Sequence, residues 1–145
     1  MLDISYNNIS TLPEQIVSSS WLYQIQHLTM SYLPLIELDT STSGALSSLA
    51  MLEYLDLSHC GLRHLPTSLM INMTSLNTLD LTGNNFVEID DSLRLARSLK
   101  ILILDDNNFE YLNKNSFPGT NYLEYLSVRY LSNEPNILFS SKLYF

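Results

Sequence analysis

The chain has 145 residues, which is enough for one domain, and its hydrophobic fraction of 46% allows a sizeable core. Its formal net charge is −8, and it contains only seven Lys and Arg residues. Nucleic-acid and anionic-membrane surfaces need clustered cations, so the composition argues against both kinds of partner. The single cysteine, Cys60, excludes an internal disulfide framework, and no stretch approaches the ~18 consecutive apolar residues of a membrane helix.

The N-terminal part of the chain contains one partial and one complete copy of an apolar repeat. The partial copy comprises Leu2, Ile4, Asn7, Ile9 and Leu12, and the complete copy comprises Ile25, Leu28, Met30, Leu33 and Leu35. The N-terminus carries no basic segment followed by an apolar run, so no secretory signal is predicted. Because the chain begins inside a repeat, the pattern fails after Leu131, and terminal repeats normally need caps, we expect a piece of a longer protein or a partial gene model. Residues 39–44, with the sequence DTSTSG, are predicted to form a loop.

Three further copies follow the pattern L-x-x-L-x-L-x-x-N/C-x-L, with phenylalanine in place of the last leucine at Phe86 and Phe109. They begin at Leu52, Leu76 and Leu99, and another leading leucine stands at Leu123, which gives steps of 24, 23 and 24 residues. Apolar content alone does not produce so regular a period. The pattern therefore predicts a stack of similar structural units.

The centre of each copy predicts a short strand with two inward leucines. Alternate side chains of a strand lie on the same face, so Leu55 and Leu57 point inward and Asp56 points outward. One copy cannot bury its leucines alone, and the strands of stacked copies therefore form one parallel sheet. Leu69 and Phe117 are predicted to be inward anchors on the opposite, convex side.

The position after each strand predicts a turn that is held by a polar side chain, because an Asn amide can satisfy backbone groups there. The residues at this position are Asn7, Cys60, Asn84 and Asn107. Cysteine also fits as a small buried residue with a weak S–H donor. Leu33 and Leu131 stand at the same position and cannot donate hydrogen bonds, so we expect local irregularity at both.

These motifs resemble the leucine-rich repeat family, in particular its typical 24-residue class, whose pattern Leu52–Leu69 carries almost whole. The resemblance implies an α/β repeat fold: a curved solenoid with one parallel sheet on the concave face, and short helices, 3₁₀ turns or loops on the convex face. Residues 1–131 are predicted to form this solenoid, with about five to six repeats of which the first is incomplete. Residues 132–145 are predicted to be a degenerate C-terminal segment.

The typical class resembles extracellular proteins of the Toll and chaoptin types. It implies a non-enzymatic module that binds a protein or another ligand, within a larger cell-surface or secreted receptor or adhesion protein. The alternative is an intracellular scaffold or adaptor in signalling, which the unpaired Cys60 and the lack of cysteine-rich caps favour. The two alternatives place the full-length protein outside the cell or in the cytoplasm, respectively.

Chemical sites are weakly represented in this sequence. His59 and Cys60 are adjacent, but Cys60 stands at the buried consensus position, which favours a structural role over a nucleophilic one. No metal-ligand spacing and no glycine-rich phosphate loop occur, so we expect no catalytic, metal or cofactor site. Asn8 and Asn72 begin glycosylation sequons, although this composition gives about two or three sequons by chance.

The outward strand positions predict the binding surface. The candidate partner-binding residues are Tyr54, Asp56, Asp80, Ile101, Ile103, Asp106 and Tyr125. Exposed Ile101 and Ile103 beside Tyr125 would form an apolar and aromatic hot spot, and the aspartates, including Asp105, would favour a basic partner. We therefore expect a protein ligand, no nucleic acid and no direct membrane insertion. The alternative interpretation is that these outward polar residues are simply solvated.

Overall fold

The computed structural model describes residues 1–12, 21–35, 38, 40–89, 91–110, 112, 116–117 and 119–129. Six strands form one sheet in the order β1-β2-β3-β4-β5-β6, and every neighbouring pair is parallel. The strands are β1 Leu2–Asp3, β2 His27–Thr29, β3 Tyr54–Asp56, β4 Thr78–Asp80, β5 Ile101–Ile103 and β6 Tyr125–Ser127. Each strand pairs with the strand of the next repeat, which confirms the predicted leucine-rich-repeat solenoid.

The register of the sheet places equivalent repeat positions side by side. Leu28 pairs with Leu55, Leu55 with Leu79, and Leu79 with Leu102. All four side chains are buried, because each one fills the space between the leucines of its two neighbours. The series continues to Leu126 on β6, which is only half-buried. The predicted inward positions are therefore correct.

In the part of the chain that the structure describes, irregular segments and the short helix Thr40–Ser47 close the core on the convex side. Leu69 and Phe117 are buried there, as predicted from their positions in the repeat. Two 3₁₀ turns, Leu22–Gln24 and Asp91–Leu93, contribute buried Leu22 and Leu93 to the same core. No helix among the described residues is long and apolar enough to cross a membrane.

The loop predicted at residues 39–44 is wrong for most of its length, because Thr40–Ser47 forms the helix α1. Its residues have modest helix propensity, and the helix instead gains stability by packing Ala45 and Leu46 into the core. The buried Thr42 hydroxyl accepts a hydrogen bond from the Leu12 N–H at 3.0 Å and joins the helix to the first repeat. The Ser and Thr residues that led to the loop prediction include buried Thr42 and Ser43, whose hydroxyls form hydrogen bonds in the core.

The predicted role of the Asn position is clearest at Asn84, which is 4% exposed. Its side-chain amide donates to the carbonyls of Leu57 and Leu81, each at 2.9 Å. Its side-chain oxygen accepts from the N–H groups of Cys60 at 3.1 Å and Leu62 at 2.9 Å. One amide thereby satisfies four backbone groups in two successive repeats, and Asn107 repeats most of this pattern one repeat later.

The irregularity expected at Leu33 appears in the hydrogen bonding, because the Leu35 N–H bonds to the Leu33 carbonyl at 2.8 Å, whereas the equivalent Leu62 N–H bonds to the Asn84 side chain. The backbone dihedral angle shows no such departure next to Leu33. Tyr32, which precedes it, has φ = 56°, close to the values at the equivalent positions of other repeats. In the next repeat, Cys60 stands where other repeats have Asn. Its thiol donates to the Met30 carbonyl oxygen, 3.1 Å from Sγ, just as Asn84 donates to the equivalent Leu57 carbonyl. Leu131 and the predicted segment 132–145 lie outside the described residues.

The thiol of Cys60 is predicted to be unreactive in the folded chain. Burial raises its pKa to about 11, so almost none of the nucleophilic thiolate forms at neutral pH. A disulfide reagent at pH 8 should modify Cys60 only after denaturation, and native labelling within minutes would contradict this prediction. Because the folded pKa exceeds the ordinary value of 9.0, the Cys60 contribution to stability should decline as pH rises from about 9 to 11.

Candidate binding surface on the concave face

The outward side chains of the concave face form three rows that cross the strands. The first row is His27, Tyr54, Thr78, Ile101 and Tyr125, which occupy directly paired positions on β2 to β6. The second row is Asp3, Thr29, Asp56, Asp80, Ile103 and Ser127, in the same register. The third row, in the turns after the strands, is Tyr6, Tyr32, His59, Gly83 and Asp106. The sheet thus brings the predicted site residues onto one face.

The predicted hot-spot residues differ in exposure. Tyr125 is 49% exposed, whereas Ile101 and Ile103 are half-buried rather than fully exposed as predicted. Neighbouring strands in a sheet lie about 4.8 Å apart, so side chains in one row shield each other on two sides. Only part of each isoleucine side chain is therefore exposed to solvent. The apolar patch of Ile101, Ile103 and Tyr125 is smaller than the sequence predicts.

Asp56 and Asp80 stabilise their own turns as well as facing solvent. Asp56 Oδ1 accepts the Ser58 N–H at 2.8 Å, and Asp80 Oδ1 accepts the Thr82 N–H at 2.9 Å and the Thr82 hydroxyl. Burial raises the pKa of Tyr54, and the charges of Asp56 and then Asp80 raise it further. The negative charges of Asp56 and Asp80 therefore create a negative potential at Tyr54 in the first row.

At the C-terminal end of the face, the predicted negative field is partly cancelled. Asp105 Oδ1 accepts hydrogen bonds from the Ser127 hydroxyl and the Arg129 N–H, both at 2.8 Å. The Arg129 side chain also lies 3.9 Å from Asp105 Oδ2. Ser127, which occupies an outward position in the register of the second row, is buried against this carboxylate. Asp106 is half-buried and belongs to the third row.

The third row contains a stack of aromatic rings whose role the sequence reasoning missed. The rings of Tyr6 and Tyr32 have centroids 4.5 Å apart, and those of Tyr32 and His59 are 4.4 Å apart. All three residues have left-handed backbones, with φ of 57°, 56° and 55°, which is unusual for bulky side chains. The signal available in the sequence was the recurrence of an aromatic residue at the same repeat position in three successive repeats.

The stack ends where the third row reaches a glycine. A Cβ atom added to Gly83 would lie within 2.1 Å of His59 Nδ1, so the imidazole ring occupies the space above the glycine. Gly83 has φ = 67°, which any other residue adopts at a cost. Glycine therefore serves two purposes here, because it permits the turn and leaves room for the last ring of the stack.

We expect Gly83→Ala to destabilise the fold by about 2 kcal/mol, from the left-handed backbone and from displacement of the His59 ring. Gly61→Ala is the matched control, since Gly61 has φ = 76° but the nearest atom to its added Cβ is 3.8 Å away. The control should lose only about 1 kcal/mol, the backbone part. Urea unfolding measures both values, and equal losses would show that the ring contact contributes nothing.

The remaining predicted sites lie on the surface. Asn8 and Asn72 are both exposed, as are Ser10 and Thr74, the hydroxyl residues of their sequons. Within the described ranges, no group of three or more His, Cys, Asp or Glu side chains could hold a metal ion. His59, considered with Cys60 as a possible catalytic pair, instead stacks on Tyr32.

The fold and the surface define the class of protein: a parallel-sheet solenoid whose exposed concave face is built from repeated outward positions. A family model described as Leucine rich repeat matches residues 50–109. Residues 50–109 thus consist of leucine-rich repeats, and these repeats resemble those of the Toll type.

Three relatives illustrate the similarity. Toll-like receptor 3 of Bos taurus is 29% identical over 127 residues, which cover 88% of this chain and 12% of that receptor. Podocan of Mus musculus is 28% identical over 131 residues, covering 89% of this chain and 20% of podocan. The crystal structure of the TLR13-ssRNA13 complex matches with a TM-score of 0.77 and 29% identity over 88% of this chain and 18% of that one. This chain spans a fifth or less of each relative's length.

Proposed function

We propose that this chain is a non-enzymatic binding segment whose concave face contacts a protein ligand. The observation that carries the proposal is the in-register first row, which aligns aromatic or apolar side chains on four of five successive strands, with Thr78 on the remaining strand, β4. The candidate contacts remain Tyr54, Asp56, Asp80, Ile101, Ile103, Asp106 and Tyr125. A half-buried isoleucine edge beside exposed Tyr125 supplies the apolar anchor that protein interfaces favour, which supports this view over simple solvation.

We further propose that the full-length protein is a cell-surface or secreted receptor or adhesion protein. The similarity to Toll-like receptor 3 and to podocan supports this, as does the exposure of both sequons. The alternative, a cytoplasmic scaffold, is supported by the free and buried Cys60. The cellular location decides between the two proposals, and only the first gives the sequons access to the glycosylation machinery.

Glycosylation provides a direct check on the extracellular proposal. When the chain is secreted from animal cells behind an added leader, we expect a glycan on Asn72, because it is exposed on a connecting segment. Enzymatic deglycosylation should then increase the mobility of the chain on a gel, and Asn72→Gln should reduce that change by the contribution of one glycan. A secreted and folded chain without any glycan would remove this support.

Nucleic acid is the competing ligand class, because the similar TLR13 structure was solved as a complex with ssRNA13. For this chain we propose a protein ligand instead. Asp56 and Asp80 face the concave surface, and the whole chain carries a formal charge of −8, so phosphates would be repelled. Fluorescence anisotropy with a labelled single-stranded RNA at physiological salt should show no saturable binding, and saturable binding would contradict this proposal.

The binding surface itself can be located with selected binders. A displayed library of small protein scaffolds is panned against the chain, and the binders are titrated against two double variants. Ile101→Ser with Tyr125→Ser alters the concave face, and Ile71→Ser with Val87→Ser alters exposed apolar residues outside the three rows. We expect most binders to lose at least about tenfold in affinity only with the first variant. Equal losses with the second would contradict the assignment of the concave face.

A further inference from the structure

The first and second rows of the concave face combine an aromatic ring with two carboxylates on β3 and β4. Tyr54 stacks on His27 at a centroid distance of 5.9 Å, so one face of its ring is covered. Thr78 occupies the next place in the row, and no aromatic ring among the described residues stacks on the second face of Tyr54. The small Thr78 side chain therefore leaves room for a flat group beside the Tyr54 ring.

Two carboxylates lie at the edge of this space. Asp56 is two residues from Tyr54 on β3, and Asp80 is paired with Asp56 on β4. Both aspartates use Oδ1 for their own turns, and their Oδ2 atoms have no hydrogen-bond partner among the described residues. Both carboxylates are close enough to the Tyr54 side chain for their negative charges to raise its pKa. A flat group that also carries positive charge would satisfy both features.

The third row limits the site on its other side. The rings of Tyr6, Tyr32 and His59 stand beyond the second row and are exposed to solvent. They form an aromatic wall parallel to the row of Thr29, Asp56 and Asp80. Asp56 thus lies between the Tyr54 ring of the first row and the His59 ring of the third row. A cation placed beside it is attracted by the carboxylate and by the open face of the Tyr54 ring together.

We propose that Tyr54, Asp56, Thr78 and Asp80 bind an arginine side chain presented by an extended segment of a protein partner. The planar guanidinium stacks against the open face of Tyr54 and donates hydrogen bonds to Asp56 Oδ2 and Asp80 Oδ2. Lysine fits less well, because its ammonium group is compact and more strongly hydrated. This inference rests on the proposed protein-binding function and names the chemistry of the contact.

The C-terminal half of the face does not offer the same site. There the second row continues with Ile103 and buried Ser127, and the carboxylate of Asp105 is already paired with Arg129. The face is therefore divided into a cation-binding half around β3 and β4 and an apolar half around β5 and β6. This division allows the two halves to be tested separately.

The test uses three blocked pentapeptides of sequence Gly-Ser-X-Ser-Gly, in which X is arginine, lysine or the uncharged arginine analogue citrulline. Each is titrated into the ¹⁵N-labelled full chain at physiological salt and followed by NMR. We expect the arginine peptide to shift resonances of Tyr54, Asp56, Thr78 and Asp80 in a saturable manner. The lysine peptide should bind about threefold more weakly, and the citrulline peptide should not bind measurably.

Variants then separate this site from general attraction to an acidic protein. Asp56→Asn with Asp80→Asn removes both charges but keeps the turn acceptors, and should weaken arginine binding at least about fivefold. Thr78→Phe should weaken it by covering the open face of Tyr54 while leaving the charges in place. Glu88→Gln with Glu110→Gln removes two exposed charges outside the three rows and should have no effect. Equal effects of the two charge-removing pairs would overturn the proposal.

The outcome also distinguishes this inference from the proposed function. If selected protein binders depend on Ile101 and Tyr125 while the arginine peptide shifts no resonances around Tyr54, the concave binding face stands and the arginine site is wrong. If the arginine peptide binds as expected and Thr78→Phe blocks it, the arginine site stands whichever surface the selected binders choose.

Discussion

Replacing Asn84 by alanine is expected to destabilise the folded chain by about 3–5 kcal/mol, because several buried backbone groups would lose their partners. The carbonyls of Leu57 and Leu81 and the N–H groups of Cys60 and Leu62 all bond to this one side chain. Asn84 is 4% exposed, so water cannot easily replace those bonds. A loss of this size is comparable with the total stability of many domains. Urea unfolding followed by circular dichroism measures it.

Asn85 is the matched control for this prediction. It is the same residue type one position later, but it is exposed. Its amide nitrogen donates to the Gly61 carbonyl at 3.1 Å, and its side-chain oxygen accepts from Asn108 Nδ2 at 3.5 Å. Asn85→Ala should therefore cost roughly 0.5 kcal/mol. If both variants lost the same small amount, the buried amide would not be what holds adjacent turns together.

Leu104→Asp is expected to prevent folding, at a cost of about 5 kcal/mol or more. Leu104 is completely buried in the stack, and aspartate there would place an unpaired charge in an apolar core. The damage should spread, because a repeat that cannot pack also removes the surface on which its neighbours pack. The far-ultraviolet circular dichroism spectrum at 20 °C should resemble that of the chain in urea.

Ile103→Asp tests the same argument from the other face of the strand. Ile103 is half-buried on the concave side, so the variant should fold, with a loss of about 1–2 kcal/mol from its apolar contacts and from the nearby charge of Asp80. A folded Leu104→Asp chain together with an unfolded Ile103→Asp chain would reverse the assignment of inward and outward positions.

Much of the architecture follows from the spacing of a few residue types. A strand has a period of two, so the pair Leu55 and Leu57 determines which side chains of that strand face the core. The repeat of 23 or 24 residues then predicts which strand positions become neighbours, and the observed register from Leu28 to Leu102 agrees. The turn amides were also predictable, because an asparagine recurring at one position has few other uses next to a buried strand.

Features that depend on contacts between repeats were not predictable in this way. The composition of Thr40–Ser47 indicates a loop, yet burial of Ala45 and Leu46 makes it helical, because tertiary packing outweighs weak local preference. Similarly, the sequence predicts only that Asp105 is another acidic residue on the outward side, whereas the structure shows that the Arg129 side chain lies beside its carboxylate. The local sequence indicates which hydrogen bonds and charges a side chain can offer. The residue that it contacts lies a full repeat away in the chain, so the contact is not visible in the local sequence.

The candidate binding surface shows most clearly which features follow from the sequence and which depend on packing between repeats. The alternation of leucines in the sequence already predicts that Tyr54, Asp56 and Asp80 lie on the concave face. The stacked rings of Tyr6 and Tyr32, and the open side of the Tyr54 ring beside Thr78, emerge only when the strands are laid next to each other. Periodicity specifies direction along one strand, whereas the shape available to a ligand depends on how side chains from adjacent repeats fill the space between them.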